Sequence, residues 1–258
     1  MNMSHMIDTV MFDLDGTLLR FSQDEFIKVY FAKLSKVFTG LGMDAETSIK
    51  AVWAGTKAMV QNDGNRTNAE QFWAEFSRFM NLTDEQQEAA EAACDDFYSN
   101  EFDAVKSVLH PGDISARLVR SIKAKGYSVV LATNPLFPAC AVTTRLGWAG
   151  LTPDDFMLVT HYSNSTFCKP NPDYYREVFK KIGKEPQQCL MTGNNPVEDM
   201  CAGSLGAETF LVTDFLENET GADISGYRSG TLAELEEFLL SMPDIPGGYP
   251  KTPAINSC

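Results

Sequence analysis

The chain has 258 residues, of which 44% are hydrophobic and 22% charged, values that exclude a disordered or fibrous protein. Its net charge of −14 would repel nucleic acid and anionic lipid, so we expect neither as a partner. The sequence contains neither a run of about 18 apolar residues nor a basic segment at its start, and the six cysteines have no metal-ligand spacing. We therefore expect a soluble, cytoplasmic protein with free thiols.

The first predicted element is a short buried strand at residues 9–12, TVMF, which is followed at once by DLDGT at 13–17. Asp13 and Asp15 are therefore expected at the carboxyl end of this strand. Between residues 21 and 102 the apolar residues recur with helical spacing and strand-like alternation is almost absent. This pattern predicts an all-helical block.

Beyond residue 113, predicted helices and strands alternate along the chain. The predicted helices are 114–126, 136–147, 172–183 and 196–206. The predicted strands are 127–134, 156–163, 188–193 and 207–214. Alternation at this spacing is typical of an α/β fold, a doubly wound and mostly parallel sheet with helices on both faces.

The order of these segments predicts two domains. We expect a discontinuous α/β core at residues 1–20 and 104–242, interrupted by a helical domain at 21–103. The Pro- and Gly-rich residues 243–258 are predicted to form a loosely packed tail.

In doubly wound sheets, ligands bind where the carboxyl ends of the strands meet the following loops. The polar residues predicted at this edge are Asp13, Asp15, Thr133, Asn134, Lys169, Asn194 and Asp199. One carboxylate can attack phosphorus to give an aspartyl phosphate, while a second protonates the leaving oxygen and later activates water. A lysine, neutral hydroxyl or amide donors and Mg²⁺ would compensate the negative charge of a phosphoryl group.

Four segments in this order, DLDGT, LATN, KPNPDYY and GNNPVED, resemble the four motifs of the haloacid dehalogenase superfamily, over about residues 8–20 and 108–214. The resemblance implies a Rossmann-like core in which Asp13 is the nucleophile that accepts the phosphoryl group and Asp15 the general acid and base. It also implies that Thr133, with Asn134 beside it, binds phosphate and that Lys169 orients the nucleophile and the phosphate.

The resemblance further implies Mg²⁺ held by Asp13, by the main-chain carbonyl of Asp15 and by an acid of the fourth motif. Here the sequence departs from the family, because Asn194 stands where an aspartate is usual, while Asp199 retains the second acid. An amide oxygen binds Mg²⁺ without contributing a formal charge. Asn194 and Asp199 are both candidate ligands, with Glu198 as a further acid near the ion.

The helical insert resembles the C1 cap of phosphoglycolate-phosphatase-like members, a lid whose closure would exclude water from phosphoryl transfer. Substrate contacts are predicted at Arg66, on a turn of the insert, and at Arg20 and Phe21, where the chain leaves for the cap. An exposed loop arginine is an equally good interpretation of Arg66. The aromatic residues of the insert are interpreted as its helical core.

The expected function is Mg²⁺-dependent hydrolysis of a small phosphorylated metabolite. Asp15 favours this reaction over carbon–halogen hydrolysis, because the dehalogenases of the family have no use for an acid two residues after the nucleophile. Three alternatives stay open: a sugar-phosphomutase-type phosphotransferase, a carbon–halogen hydrolase, and a binding protein with a decayed site, which Asn194 suggests. The sequence gives neither the substrate nor the oligomeric state.

Overall fold

The structure is a computed structural model and describes residues 7–110 and 112–246. Within these residues, six strands form one parallel sheet, which confirms the predicted fold class. The strands are β1 (Thr9–Phe12), β2 (Ser128–Leu131), β3 (Leu158–Val159), β4 (Cys189–Gly193), β5 (Glu208–Val212) and β6 (Ser229–Gly230). Their order across the sheet is β3-β2-β1-β4-β5-β6.

Strand β1 lies in the middle of the sheet, where its four residues are all buried. Val10 and Phe12 contribute to one hydrophobic cluster and Met11 to a second one on the opposite face, because successive strand side chains point to opposite faces. A strand buried on both sides has a continuous apolar sequence. This explains why TVMF shows no alternation of apolar and polar residues. Because β1 is a central strand, its carboxyl end lies in the middle of the carboxyl edge of the sheet.

Four helices form the insert between β1 and β2: α1 (Gln23–Gly40), α2 (Ala45–Val60), α3 (Asn68–Met80) and α4 (Asp84–Asn100). A 3₁₀ helix, Phe102–Val108, leads back to the core. Thr67 and Thr83 begin α3 and α4 with capping boxes, in which each hydroxyl accepts a backbone N–H that the helix leaves free. These helices are the inserted cap that the sequence predicts.

The core helices are α5 (Ile114–Ala124), α6 (Ala139–Trp148), α7 (Pro172–Ile182) and α8 (Leu232–Ser241). The segment predicted as a helix at 196–206 forms turns and a 3₁₀ helix, Met200–Leu205. Two glycines in it, Gly203 and Gly206, disfavour a regular α-helix. The pair β6 and α8 lies beyond the last predicted strand and completes the sheet edge.

The cap contacts the core through Asn68, whose side chain is fully buried. Its amide nitrogen donates to the carbonyls of Pro135 and Phe167, both at 3.3 Å, while its oxygen accepts a hydrogen bond from Asn62 at 2.9 Å. Pro135 follows β2 and Phe167 follows β3. The start of α3 is therefore bonded to the two loops that carry Asn134 and Lys169.

The bounds of the two domains stay a prediction, and most of the predicted tail, 247–258, lies outside the described residues. Where the tail is described, the Tyr127 hydroxyl donates to the carbonyl of Pro243, and the Ile245 N–H donates to the carbonyl of Lys125, both at 2.7 Å. Cysteines 94, 140, 168, 189 and 201 are free thiols. In the part of the chain that the structure describes, no helix is long and apolar enough to cross a bilayer.

Candidate active site

Asp13 follows β1 directly and is held by its backbone, since its N–H donates to the Thr192 carbonyl of β4 at 2.9 Å. Lys169 comes from the loop after β3, and its Nζ donates to Asp13 Oδ1 at 2.8 Å and to Asp199 Oδ1 at 2.6 Å. Segments separated by 156 and 30 residues therefore meet around one ammonium group. This is the convergence that the sequence predicts for the carboxyl edge of the sheet.

Lys169 is only 1% exposed, so its charge requires close partners. Burial by itself lowers the pKa of this ammonium, but the carboxylates of Asp13 and Asp199 outweigh burial and raise the pKa well above its usual value. The ring of Tyr174 adds a weaker attraction, with its centroid 5.9 Å from Nζ. Lys169 is therefore a permanent cation at neutral pH.

Thr133 and Asn134 follow β2 at the same edge. The Thr133 carbonyl accepts hydrogen bonds from the hydroxyls of Thr160 at 2.7 Å and Tyr174 at 2.9 Å, which fixes the main chain here. Asn134 accepts a hydrogen bond from the Lys169 N–H at 3.2 Å and donates to Glu198 Oε2 at 3.0 Å. Asn134 thus joins three of the four sequence motifs.

Asp15 is paired with Arg145 of α6, a residue that the sequence reasoning missed. Arg145 Nη2 donates to Asp15 Oδ2, and its guanidinium lies 4.6 Å from the ring centroid of Phe137 and 5.7 Å from that of Phe26. Burial raises the pKa of Asp15, while Arg145 opposes this shift. Asp15 Oδ1 and Arg145 Nε are buried without a hydrogen-bond partner among the described residues.

A signal for Arg145 was present in the sequence of α6. Arg145 is 1% exposed and shares the buried face of this helix with Ala141, Val142 and Leu146. The spacing of these three apolar residues predicts which face is buried. An arginine on such a face requires an acidic partner, and its place on a helix face, away from the strand ends, is why the four motifs do not include it.

The side chain of Asn194 is hydrogen bonded within the protein at both ends. Its oxygen accepts a hydrogen bond from the Thr17 hydroxyl at 3.3 Å, and its nitrogen donates to the Phe215 carbonyl at 2.6 Å. Gly16, at φ +71°, allows this approach, since a Cβ there would lie 2.1 Å from Asn194 Nδ2. Asn194 therefore connects the loop after β5 to the loop that carries both N-terminal aspartates.

The same contact brings a further acid to the site, Glu217, which the sequence reasoning also missed. Its N–H donates to the Asn194 carbonyl at 3.0 Å, and the charges of Asp13 and Asp15 act on its carboxyl group. Glu217 follows the predicted strand at 207–214 by three residues. This position, just beyond the end of a predicted strand, is the signal for Glu217 in the sequence.

Four acids of the site, Asp15, Glu198, Asp199 and Glu217, have raised pKa values because carboxylates are concentrated in a buried region. Burial, then the charges of Asp13, Asp15 and Glu198, raises the pKa of Glu217 to about 8. Burial likewise raises the pKa of Glu198 to about 7 and that of Asp199 to about 6. Additional positive charge at this edge would stabilise the ionised forms of these groups.

No group of three His, Cys, Asp or Glu side chains is arranged to hold a metal ion within residues 7–110 and 112–246. The ligand set implied by the family resemblance contains only two carboxylates and one main-chain carbonyl, so three side chains are not required. The ammonium of Lys169 connects the carboxylates of Asp13 and Asp199.

The three predicted substrate residues lie in different surroundings. Arg20 Nη2 is 3.7 Å from Asp214 Oδ1, and Arg66 is exposed on its turn. The ring of Phe21 is 1% exposed and stacks on Phe26 at 5.1 Å. Phe21 therefore belongs to the packing between core and cap and does not line an open mouth, which corrects that prediction. The roles of Arg20 and Arg66 stay predictions.

Comparison with known proteins identifies the family. The family model described as haloacid dehalogenase-like hydrolase matches residues 7–204. This match covers well over half of the chain, which therefore belongs to the haloacid dehalogenase-like hydrolases. The resemblance of the four motifs and the expectation of a hydrolase are both confirmed.

One curated relative is a bifunctional riboflavin kinase/FMN phosphatase from Arabidopsis thaliana, 23% identical over 216 residues, or 82% of this chain. The matched region is 49% of the relative, so the chain spans about half the length of that protein.

Two solved structures share the fold and differ in their chemistry. An HAD phosphatase from Thermococcus onnurineus has a TM-score of 0.56 and 18% identity, over 93% of this chain and all of its own. The L-2-haloacid dehalogenase from Xanthobacter autotrophicus has a TM-score of 0.54 and 16% identity, over 92% of this chain and all of its own. At these identities the likeness shows the fold alone, so the reaction must be argued from the site.

Proposed function

We propose that this chain is a Mg²⁺-dependent phosphomonoester hydrolase that acts on a small phosphorylated metabolite through an aspartyl phosphate at Asp13. The observation that carries the proposal is that two carboxylates and one ammonium group lie together at the carboxyl edge of the sheet. Asp13 shares the buried Lys169 ammonium, and a second carboxylate, Asp15, follows two residues later with one oxygen lacking a partner among the described residues.

In this proposal Asp13 attacks phosphorus, a P–O bond forms to its carboxylate, and the ester P–O bond breaks. Lys169 bonds to Asp13 Oδ1 and leaves Oδ2 as the attacking oxygen. The same ammonium compensates the charge of the phosphoryl oxygens, with Thr133 and Asn134 as neutral donors beside it. A preformed set of donors needs little reorganisation during the reaction.

Asp15 is the proposed general acid and base. Burial raises the pKa of its carboxyl group, which favours the protonated form needed to give a proton to the leaving oxygen. Arg145 holds Oδ2, so the unpartnered Oδ1 is the oxygen available for proton transfer. After the alcohol leaves, the Asp15 carboxylate takes a proton from the water that hydrolyses the aspartyl phosphate.

The residues of this edge fit Mg²⁺, which prefers oxygen ligands. Asp13, the main-chain carbonyl of Asp15 and Asp199 would hold the ion, as the family resemblance implies. When bound, the ion would supply positive charge at the transferring phosphoryl group. The raised pKa values of Asp199 and Glu198 support the fit, since they mark carboxylates that lack sufficient positive charge.

We further propose that Glu217 supplies the negative charge that Asn194 does not. Both ends of the Asn194 amide have protein partners, so of the two candidates, Asn194 and Asp199, we propose Asp199 as the ligand. The backbone bond from Glu217 to the Asn194 carbonyl brings a carboxylate to the same place from a different loop. Glu217 would act on the ion directly or through water.

Asp15 is also the main argument against a carbon–halogen hydrolase, although one such enzyme shares the fold. The phosphatase activity in the name of the Arabidopsis relative supports ester hydrolysis, and FMN is therefore one substrate to test. A binding protein with a decayed site has no need to keep a buried lysine paired with two carboxylates. The charges around Lys169 therefore argue against that alternative. Product analysis separates hydrolysis from transfer to a second hydroxyl group.

The test is phosphate release from a panel of sugar phosphates, nucleotides, FMN, two- to four-carbon phospho-acids and an aryl phosphate, with Mg²⁺ or EDTA. Asp13→Asn should lower kcat by about 10⁴-fold or more, while circular dichroism and thermal melting show an intact fold. Asp24→Asn, on the exposed first turn of α1, is the matched control and should keep full activity. An Asp13→Asn variant with wild-type turnover would refute the assignment.

A further inference from the structure

A cavity of about 110 Å³ lies inside the cap, closed on one side by residues 136–138 of the core. It is the space between the inner faces of α1, α2, α3 and α4. Ten of its eighteen lining residues are aromatic and none carries a charge, in a chain with a net charge of −14. The chemical character of this cavity is therefore unlike that of the site at the sheet edge.

Three hydroxyl groups of the cavity wall have hydrogen-bond partners within the protein. The hydroxyls of Tyr30 and Tyr98 lie 2.5 Å apart, and the Thr56 hydroxyl donates to the Val52 carbonyl of its own helix at 2.9 Å. The wall consequently presents mainly carbon to the interior. Apolar cavities of this kind exclude water and bind apolar molecules, as an enclosed cavity of about 150 Å³ binds benzene.

One buried side chain, that of Arg145, lies between the cavity and the candidate active site. Phe26 and Phe137 both line the cavity and both hold the guanidinium of Arg145 over their rings. The same guanidinium pairs with Asp15 through its Nη2. The proposed acid and the aromatic wall are therefore separated only by the Arg145 side chain.

A second observation at this boundary points to a ligand. Arg145 is 1% exposed, yet its Nε has no hydrogen-bond partner among the described residues, and Asp15 Oδ1 is in the same condition. Buried polar atoms nearly always have partners, so an unused donor and an unused acceptor at one place mark a position for polar ligand atoms. Such atoms would lie between the phosphate and the aromatic cavity.

We infer that the cavity binds the organic part of the substrate, and that this part is an uncharged, flat, apolar group about the size of one six-membered ring. The inference rests on the proposed function, because it requires a phosphoryl group at Asp13 and Lys169. The ester oxygen then lies at Asp15, and the ring extends past Arg145 into the cap. Trp53, which is 49% exposed, lines the outer end, where a larger ring system would extend.

The experiment fills the cavity and compares two monoesters with the same phosphate, phenyl phosphate and glycerol 2-phosphate. Thr56→Phe places a ring in the cavity, and Thr39→Phe is its matched control. Thr39 is exposed on α1, also bonds its hydroxyl to a helix carbonyl, and does not line the cavity. The ratio of kcat/KM for phenyl phosphate to that for glycerol 2-phosphate should fall about 10- to 100-fold in Thr56→Phe and stay unchanged in Thr39→Phe.

A second variant enlarges the cavity in case Thr56→Phe does not fold. Trp53→Ala should raise the kcat/KM ratio of 1-naphthyl phosphate to phenyl phosphate about tenfold, whereas Phe79→Ala, which removes an exposed aromatic side chain of α3, should not. Isothermal titration with phenylphosphonate and methylphosphonate reports the same preference without turnover. Absence of hydrolysis for all esters would refute the proposed function, whereas hydrolysis with ratios equal in Thr56→Phe, Trp53→Ala and their controls would refute only the inference about the cavity.

Discussion

The carboxyl edge of the sheet and the interior of the cap are both buried, but their side chains differ completely. At the sheet edge, Lys169 and Asp199 are each 1% exposed and remain charged, because opposite charges lie within hydrogen-bonding distance. In the cap, the cavity walls are aromatic and uncharged. The first region is suited to phosphoryl chemistry, and the second to the apolar part of a molecule.

The proposed function and the inference about the cavity assign the two ends of a phosphate ester to these two regions. Charged groups in a low-dielectric region interact strongly but must be paired, whereas aromatic walls bind by the hydrophobic effect and need no partner. Arg145 belongs to both regions, since it pairs with Asp15 and lies on the rings of Phe26 and Phe137. Changes at the charged edge should affect turnover, and changes in the cap should affect substrate choice.

Among the substitutions that test this comparison, the largest effect is expected for Lys169→Met, which removes the buried positive charge of the sheet edge. The variant should lower kcat by about 10³-fold, because the positive charge next to the phosphoryl group is lost. It should also lower the free energy of unfolding by about 3–5 kcal/mol, because Asp13 and Asp199 lose their common partner. Steady-state kinetics and urea unfolding measure the two quantities.

The control for Lys169→Met is Lys184→Met, which removes a lysine that is paired with Asp8 in a partly exposed ion pair. Partly exposed pairs contribute little, so the control should lose less than about 1 kcal/mol and keep its activity. Equal effects of the two substitutions would mean that the buried ammonium has no special role.

Next in size is Arg145→Met, at the boundary of the two regions. We expect a loss of about 3–5 kcal/mol in the free energy of unfolding, because the ion pair of the buried Arg145 with Asp15 is broken and the packing of the guanidinium on Phe26 and Phe137 is lost. The double variant Arg145→Met with Asp15→Asn should recover at least about 1 kcal/mol, since the unpaired charge is then removed. Urea unfolding measures both.

Arg120→Met is the control for Arg145. Arg120 is exposed and donates to the Gly150 carbonyl, so its replacement should cost less than about 1 kcal/mol. If the double variant were no more stable than Arg145→Met, the stabilisation by Arg145 would come from its packing and not from its charge.

A smaller effect is expected at Glu217. Glu217→Gln should weaken Mg²⁺ binding about tenfold, measured by isothermal titration without substrate, because the site loses one negative charge. Glu219→Gln, an exposed acid of the same loop, should bind Mg²⁺ like the wild type. Introducing Asn194→Asp into Glu217→Gln should restore affinity, and unchanged binding by Glu217→Gln alone would exclude the proposed compensation.

The smallest effect is a dependence of stability on pH in the metal-free protein. Folding raises the pKa of Glu217 from 4.5 to about 8 and that of Glu198 from 4.5 to about 7. Between pH 4.5 and about 8 the folded chain binds more protons than the unfolded chain. The stabilisation is therefore complete below pH 4.5, and it is lost as the pH rises to about 8.

Because solvent screens these partly exposed carboxyls, we expect a fall in Tm of only about 2–4 °C between pH 6 and 9 in EDTA, as for a loss of about 1 kcal/mol. Glu217→Gln should flatten this fall, Glu219→Gln should not, and Mg²⁺ should raise Tm more at pH 9 than at pH 6. A Tm that rises with pH over this range would contradict the assignment.

Most elements of the fold were predictable because their sequence patterns are local. The run TVMF gave β1, and the apolar spacing at 172–183 gave α7, which begins at Pro172 and is followed by Gly183 in the left-handed conformation. The prediction of an α-helix at 196–206 was wrong, since the glycines and tertiary contacts of this segment favour turns. The last strand, β6, has two residues, too few for any periodicity to reveal.

The site was predictable only where residues lie in recognisable motifs. Asp13, Lys169 and Asp199 were found this way, and the structure brings them together. Arg145 and Glu217 lie outside the motifs, on a helix face and in a loop, and reach the site only because the chain folds over it. Phe21 was misjudged, since neighbours in sequence do not show whether a side chain points outward.

The amino-acid sequence by itself determined the α/β fold, the place of the helical insert and the residues of the four motifs, because hydrophobic periodicity and short motifs are properties of neighbouring residues. Only the tertiary structure decided that Arg145 pairs with Asp15, that the Asn194 amide is used within the protein, and that aromatic side chains from four helices enclose a cavity. Such contacts join residues far apart in the chain, and their energies depend on distance and burial, which no local pattern contains.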